Sequence, residues 1–370
     1  MTPRVPFLSL APGADRDAIR AAIDRVIERG WFILGPEVSA FEEEFAAASG
    51  TRFAVGVGTG TDAIALTLRA LGVRPGDEVI TPPVSAAFSA LAIVMARARP
   101  VFADIDPVRL TLDPAAAAAA VTSRTAAVLP VHLYGQPADM PAIMAMARRH
   151  HLAVVEDACQ AHLATSAGQP VGTFGAAGAF SFYPTKNLGA LGDGGAAITN
   201  DEALAARLKR LRNGGQVSQY HHVEFGVNSR LDELQAAILR ARLPGLAAAT
   251  GRRRQLAARY RAALAGAPLT VPVECDAGHV YHLFPVRAVD RDGLRRHLET
   301  EGIGSLVHYP IPLPRQPAFA EHHPPVCPVA DRLCEDVCSL PLHPHMTDED
   351  VDRVAAAVQA WRPALSSTKP

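Results

Sequence analysis

From about residue 52 to residue 200, short apolar runs alternate with stretches of helical periodicity. Apolar runs at 53–57, 78–80, 100–104, 126–131, 153–156, 179–182 and 196–200 predict seven strands. Helical spacing fills 62–71, 87–97 and the stretch that ends at Arg149. Strands this short and this uniformly apolar, separated by helices, read as an α/β fold: a mainly parallel sheet covered on both faces. Ligands of such sheets bind beyond the carboxyl ends of the strands, so the polar residues that follow each strand carry the functional question.

The flanks have a different pattern. Residues 15–29 and 37–48 read as amphipathic helices separated by Gly35-Pro36. A long helical stretch over 231–264 is broken at Pro244-Gly245. From about Leu269 a strand-like piece at 281–286 alternates with helices at 291–301 and 348–360, and 313–328 is a proline-rich loop. The expected division is a large domain over 1–245, with its N-terminal helical segment, and a smaller C-terminal α+β domain over 246–370. No internal repeat is apparent.

Composition narrows the function. The chain has 370 residues with 36 Lys plus Arg against 37 Asp plus Glu, so charge gives no reason to expect nucleic acid or an anionic membrane as partner. The N-terminus lacks the apolar core of a signal peptide, no apolar run reaches membrane-spanning length, and a soluble, cytoplasmic protein is expected. Five cysteines, an odd number, fit reduced thiols better than a disulfide framework. Cys327, Cys334 and Cys338 lie near His322, His323, His343 and His345, but without a CxxC pair. Buried thiols and surface histidines are preferred to a metal site there.

Three segments beyond predicted strands carry candidate chemistry. Val57-Gly58-Thr59-Gly60-Thr61-Asp62-Ala63 joins a strand to a helix. Its small residues and the helix's first N–H groups suit a phosphate; equally it is a tight turn with a threonine cap. Gly56, Gly58 and Gly60 approximate a dinucleotide fingerprint, but the third glycine falls too early. Residues 154–162, Val-Val-Glu-Asp-Ala-Cys-Gln-Ala-His, put Asp157 at a strand's end. A carboxylate there can keep a pyridine nitrogen protonated, or serve as a helix cap or magnesium ligand. In Ser181-Phe182-Tyr183-Pro184-Thr185-Lys186-Asn187, followed by Gly192-Asp193-Gly194-Gly195, an aromatic strand runs through a proline to one lysine. A desolvated lysine is a nucleophilic amine, whereas a solvated one is an ordinary surface charge. In a fourth segment, Tyr220-His221-His222 reads as a substrate-contacting loop rather than a metal site, because adjacent strand residues face opposite ways.

Together these motifs, with Asn228-Ser229-Arg230-Leu231-Asp232-Glu233-Leu234-Gln235-Ala236, Val5-Pro6-Phe7 and His308-Tyr309-Pro310, resemble the DegT/DnrJ/EryC1/StrS family of sugar aminotransferases over nearly the whole chain. The resemblance implies an aspartate-aminotransferase-like (fold type I) architecture, pyridoxal 5'-phosphate (PLP) and a homodimer with shared active sites. It implies Lys186 as the residue forming the internal aldimine, Asp157 at the pyridine nitrogen, Gln160 beside the ring hydroxyl, and Gly60, Thr61 and Ser181 at the phosphate. Asn228 is implied to reach the phosphate of the neighbouring subunit, and His162, Tyr220, His221, His222, His308 and Tyr309 to lie towards the sugar. The implied reaction moves an amino group, with L-glutamate as donor, onto a nucleotide-linked keto-sugar in ping-pong steps.

Two departures stand out: Ala86 occupies the place of an expected ring-stacking aromatic, and Pro312-Leu313-Pro314-Arg315 lacks an expected histidine. The wording Asn-Ser-Arg-Leu after Tyr-His-His resembles members acting on 3-keto sugars more than those acting on 4-keto sugars. Family dehydratases replace the lysine with histidine, which Lys186 argues against. A Rossmann-type nucleotide-sugar dehydrogenase would need a better glycine fingerprint than this chain has. A non-catalytic regulator that keeps the fold is also compatible with the motifs.

Overall fold

In the computed structural model, residues 4–322 and 325–363 are described. Seven strands form one sheet: β1 (Phe53–Val57), β2 (Glu78–Thr81), β3 (Arg99–Phe102), β4 (Thr125–Val128), β5 (Ala153–Asp157), β6 (Ala177–Ser181) and β7 (Gly195–Thr199). Their order is β1-β7-β6-β5-β4-β2-β3. Only β7 runs against the rest, antiparallel to both β1 and β6; the pairs β2–β3, β2–β4, β4–β5 and β5–β6 are parallel. The sheet is thus mainly parallel, and the architecture is the fold type I of PLP aminotransferases.

Alternation along the strands explains why both faces are covered. Val55, Ala179 and Ala197 enter one apolar cluster with Ile64 and Leu68, while Ala54, Phe180 and Ile198 enter another with Phe41 and Phe45. Helices α1 (Arg16–Arg29) and α2 (Pro36–Ser49) pack on Glu233–Arg242, and α3 (Gly60–Ala70) lies against β7, β6 and β5. Proline at the first turn of α2 fits the helix, since its missing N–H is unpaired there anyway. The break at Pro244-Gly245 is a 3-10 turn between Glu233–Arg242 and Leu246–Ala263.

A second core gathers Leu256, Tyr260, Phe284, Leu298, Val354 and Trp361 around the antiparallel pair Phe284–Arg287 and Val337–Leu340. Val5 bridges to Ile303 and joins this core, so the start of the chain is anchored on its C-terminal part. The proline-rich segment contains two 3-10 turns, Leu313–Arg315 and Pro317–His322. No described helix is long and apolar enough to cross a membrane.

Candidate active site

Strand direction brings the candidate segments together. β7 runs backwards, so its first residue, Gly195, pairs with both Val57 at the end of β1 and Ser181 at the end of β6. The loop after β1 therefore meets the loop after β6. A Cβ on Gly195 would lie 2.3 Å from the carbonyl carbon of Thr59, which is why only glycine serves there. One cavity of about 260 Å³ opens at this junction, lined by Gly60, Thr61, Asp157, Gln160, Ser181 and Lys186 among others.

The first wall is the start of α3. Thr59 caps it, accepting from the Asp62 N–H at 3.0 Å. The Thr59 hydroxyl also donates to Asp62 Oδ2 at 3.0 Å, and so does the Ser229 hydroxyl at 2.8 Å. Ser229 in turn accepts from the Gly58 N–H at 2.9 Å. Asp62 and Ser229 hold the loop, while the first amides of α3 open on the cavity beside Ser181. Amides and helix dipole together suit an anion.

The second wall is the end of β5. Of its two acids, Glu156 is fully buried and spent on structure, accepting from the N–H groups of Gly172, Phe174 and Gly175 at 2.7–3.0 Å. Asp157, one residue on, points the other way into the cavity and is 4% exposed. It accepts from the Cys159 N–H at 3.1 Å and from the Ser89 hydroxyl at 2.6 Å, both neutral donors, and has no ion pair among the described residues. A buried carboxylate is costly without a cation.

Lys186 supplies the amine. Its backbone N–H closes a turn onto the Tyr183 carbonyl at 2.8 Å, after Pro184 has ended the strand direction. Burial lowers its pKa below the usual 10.5; the nearby Cys159 and Asp157 act in the opposite sense. Burial also pushes the Cys159 thiol well above its ordinary value.

Gln160 links the cavity to the C-terminal part. Its Oε1 accepts from the Tyr134 N–H at 2.7 Å and its Nε2 donates to the Tyr309 hydroxyl at 3.1 Å. Tyr134 donates its hydroxyl to the His308 carbonyl. The His308 ring stacks on Phe7 and bonds Ser339 Oγ at 3.0 Å; burial pushes its pKa down to about 4.

The remaining candidates lie elsewhere in this chain. His162 does not line the cavity: it is fully buried among Phe45, Phe180 and Phe182, and burial pushes its pKa down to about 3. Tyr220, His221 and His222 form an exposed hairpin, and Asn228 is exposed beside Asn213. Ala86 does line the cavity, next to Phe88, which is 62% exposed. Cys327 and Cys334 pack in one apolar cluster and Cys338 in another, and no metal-binding group of side chains is present among the described residues. His323 lies outside the described residues.

Sequence reasoning passed over Ser89, Ser229 and Tyr134. Ser85 and Ser89, four apart just beyond β2, were the available signal for the first. The other two act through long-range contacts that no local pattern encodes.

An amine and a buried carboxylate with no ion pair among the described residues, facing one anion cradle on this sheet, define the site class of fold-type-I pyridoxal-phosphate enzymes. The chain belongs to the DegT/DnrJ/EryC1/StrS aminotransferase family, matching it over residues 14–359. It is 49% identical over 366 residues to dTDP-3-amino-3,4,6-trideoxy-alpha-D-glucose transaminase of Streptomyces venezuelae, covering 97% of each chain. It is 46% identical over 346 residues to UDP-N-acetyl-3-dehydro-alpha-D-glucosamine 3-aminotransferase of Acidithiobacillus ferrooxidans, covering 93% of this chain and 94% of that one. Among solved structures, S. venezuelae DesV in complex with a ketimine intermediate matches with a TM-score of 0.95 at 49% identity, covering 97% of this chain and 99% of that one. Aminotransferases of this family depend on PLP.

Proposed function

We propose that this protein transfers an amino group to C3 of a nucleotide-linked keto-hexose, using PLP held by Lys186 and L-glutamate as donor. The observation that carries the reading is Asp157: a buried carboxylate with no ion pair among the described residues, held only by neutral donors and sharing one cavity with the Lys186 amine. A protonated pyridine nitrogen would be the ion-pair partner that Asp157 lacks among the described residues. Gly60, Thr61 and Ser181 would take the phosphate, and Gln160, already oriented by Tyr134 and Tyr309, would sit beside the ring hydroxyl.

When bound, the cofactor supplies an electron sink for the carbon that loses its proton. Lys186 would hold the cofactor through its amine, and when free it would serve as the base and acid that moves the donor's α-proton. Its lowered pKa keeps a fraction of the amine unprotonated for that work. Ile64 and Val131 give the cavity apolar wall on one side. The keto-sugar would be bound in the same cavity after the donor's keto product has left, so ping-pong kinetics are expected.

The active form in this reading is a homodimer. Trp31, Phe32 and Phe225 are 55%, 48% and 94% exposed, and are apolar side chains that a partner subunit would cover. Asn228, Tyr220, His221 and His222 lie outside their own cavity and serve the partner's: Asn228 at the phosphate, the hairpin at the sugar. His308 and Tyr309 reach the sugar from the same subunit, whereas His162, buried among Phe45, Phe180 and Phe182, is left without a sugar contact. Residues 1–245 form the cofactor-binding domain and 246–370 the small domain, the latter completed by Val5. Five cysteines without a disulfide support a cytoplasmic location.

C3 is favoured because the relatives at 49% and 46% identity bear names for 3-amino and 3-dehydro sugars. The test is a panel of nucleotide-linked 3-keto and 4-keto hexoses with glutamate. Preferred turnover of a 3-keto compound is expected; preference for a 4-keto compound overturns the position assigned.

A further inference from the structure

We propose that Ser85 and Ser89 form a buried, directional hydroxyl relay that positions Asp157, and that Ser89 is a positioning residue for the reaction. The inference rests on the reading that Asp157 faces the pyridine nitrogen.

The geometry has three steps. Ser89 donates to Asp157 Oδ2 at 2.6 Å, a short bond of the charge-assisted kind. The two serine hydroxyls lie 2.8 Å apart. A hydroxyl has one proton, and that of Ser89 is committed to the carboxylate, which as an anion only accepts. Ser85 must therefore donate to Ser89, and the chain runs Ser85 to Ser89 to Asp157. With its proton spent, the Ser85 oxygen offers only lone pairs to whatever fills the cavity that both serines line.

Local structure does not explain these serines. They sit at the start of α4 (Phe88–Met95), where a serine ordinarily caps the helix. Yet Ala87 is the N-cap and no side-chain cap bond forms. Ser85 and Ser89 are 4% and 2% exposed, so neither hydroxyl is satisfied by solvent. Their hydrogen bonding is turned onto the one buried carboxylate of the site. The other oxygen of Asp157 is fixed by the Cys159 N–H. Both oxygens are thus held from behind by neutral donors, which settles the plane of the carboxylate without neutralising it.

Losing Ser89 leaves the negative charge of Asp157 less stabilised. Asp157 then draws more strongly on the pyridine proton, and the ring becomes a poorer electron sink. The expected effects of Ser89→Ala are a roughly tenfold weaker hold on PLP, a comparable fall in kcat for the half-reaction with the amino donor, and an upward shift in the pH midpoint of the bound cofactor's visible absorbance. KM for the keto-sugar should stay near wild type. Ser85→Ala should shift the same midpoint in the same direction by less, and Ser89→Thr, which keeps the hydroxyl, should restore it.

The experiment is a pH titration of visible absorbance on the PLP-loaded wild type, Ser89→Ala, Ser89→Thr, Ser85→Ala and Asp157→Asn, with thermal unfolding of each cofactor-free protein alongside. The relay predicts a shifted midpoint in Ser89→Ala, recovery in Ser89→Thr and a larger change in Asp157→Asn. If Ser89→Ala loses thermal stability but titrates as wild type while Asp157→Asn does not, Ser89 is only structural and the relay is overturned. If Asp157→Asn itself titrates as wild type, the placement of Asp157 at the pyridine nitrogen fails, and the relay with it.

Discussion

Gly60 packs so closely on Ser181 that an added Cβ would lie 2.8 Å from the Ser181 Cβ and 2.7 Å from the Cys159 Sγ. The start of α3 and the end of β6 meet at this contact, and it sets the width of the cavity where the phosphate is proposed to bind. Gly60→Ala must push the helix away from Ser181. The expected result is a stability loss of about 1–3 kcal/mol and at least about tenfold weaker PLP binding, measured by dialysis and absorbance. Wild-type affinity in a folded Gly60→Ala protein would show that the phosphate does not bind here.

Lys186 gives a prediction in pH. Burial lowers its pKa from 10.5, while Cys159 and Asp157 partly offset that. The rate at which PLP attaches to the cofactor-free protein follows the neutral amine, so its pH midpoint should fall below 10.5. Asp157→Asn removes a charge that favours the ammonium, so the midpoint should move further down. An upward movement contradicts the proximity of the two groups.

Acid sensitivity follows from the buried histidines. Burial pushes His162 and His279 down to about 3, and His308 and His343 to about 4, from 6.5. In the unfolded chain each takes a proton near 6.5, while in the folded chain it does not. Between these values the unfolded state binds more protons, so the stabilisation is complete above 6.5 and is lost as pH falls towards the folded values. Each group contributes up to about 1.4 kcal/mol per pH unit within its window. Urea unfolding at about pH 7 and about pH 5 should show the decline, and His162→Leu should flatten it by one proton's worth. An unchanged slope in that variant contradicts the burial of a neutral His162.

Glu233 yields a stability prediction away from the cavity. Its fully buried carboxylate accepts the N–H groups of Gly35, Glu37 and Val38 at 2.9, 2.9 and 2.7 Å, capping α2 from a distant helix. Glu233→Gln retains one oxygen and should cost about 2–3 kcal/mol, read from thermal unfolding. No loss would mean that this acid does not cap α2.

That residue also shows what the sequence does and does not reveal. The seven strands were legible because each is short, apolar and bounded by helical periodicity, and the ends came out within a few residues. Lys186, Asp157, Gly60, Thr61, Gln160 and Ser181 were legible because each lies at or just beyond the carboxyl end of a strand, and the structure brings all six to one cavity. In Asn228–Ala236, by contrast, the same string holds a folding device and a site support. Glu233 bonds Gly35 across 198 residues, and Ser229 bonds Gly58 across 171. No local period encodes such pairings. His162 illustrates the converse: its motif points to the site, but the tight turns after β5, closed by Ala161 and Ala164 N–H groups, carry its ring into the aromatic core.

The central claim is that Lys186 carries the cofactor, and the chain makes it easy to test, since it has only three lysines: Lys186, Lys209 and Lys369. Lys209 is half exposed and paired with Glu42 at 3.5 Å, outside the cavity. The measurement is borohydride reduction of the PLP-loaded protein followed by peptide mass mapping. One reduced cofactor per chain, on the peptide containing Lys186, is the predicted result; cofactor fixed to Lys209 or Lys369, or no adduct at all, would contradict it.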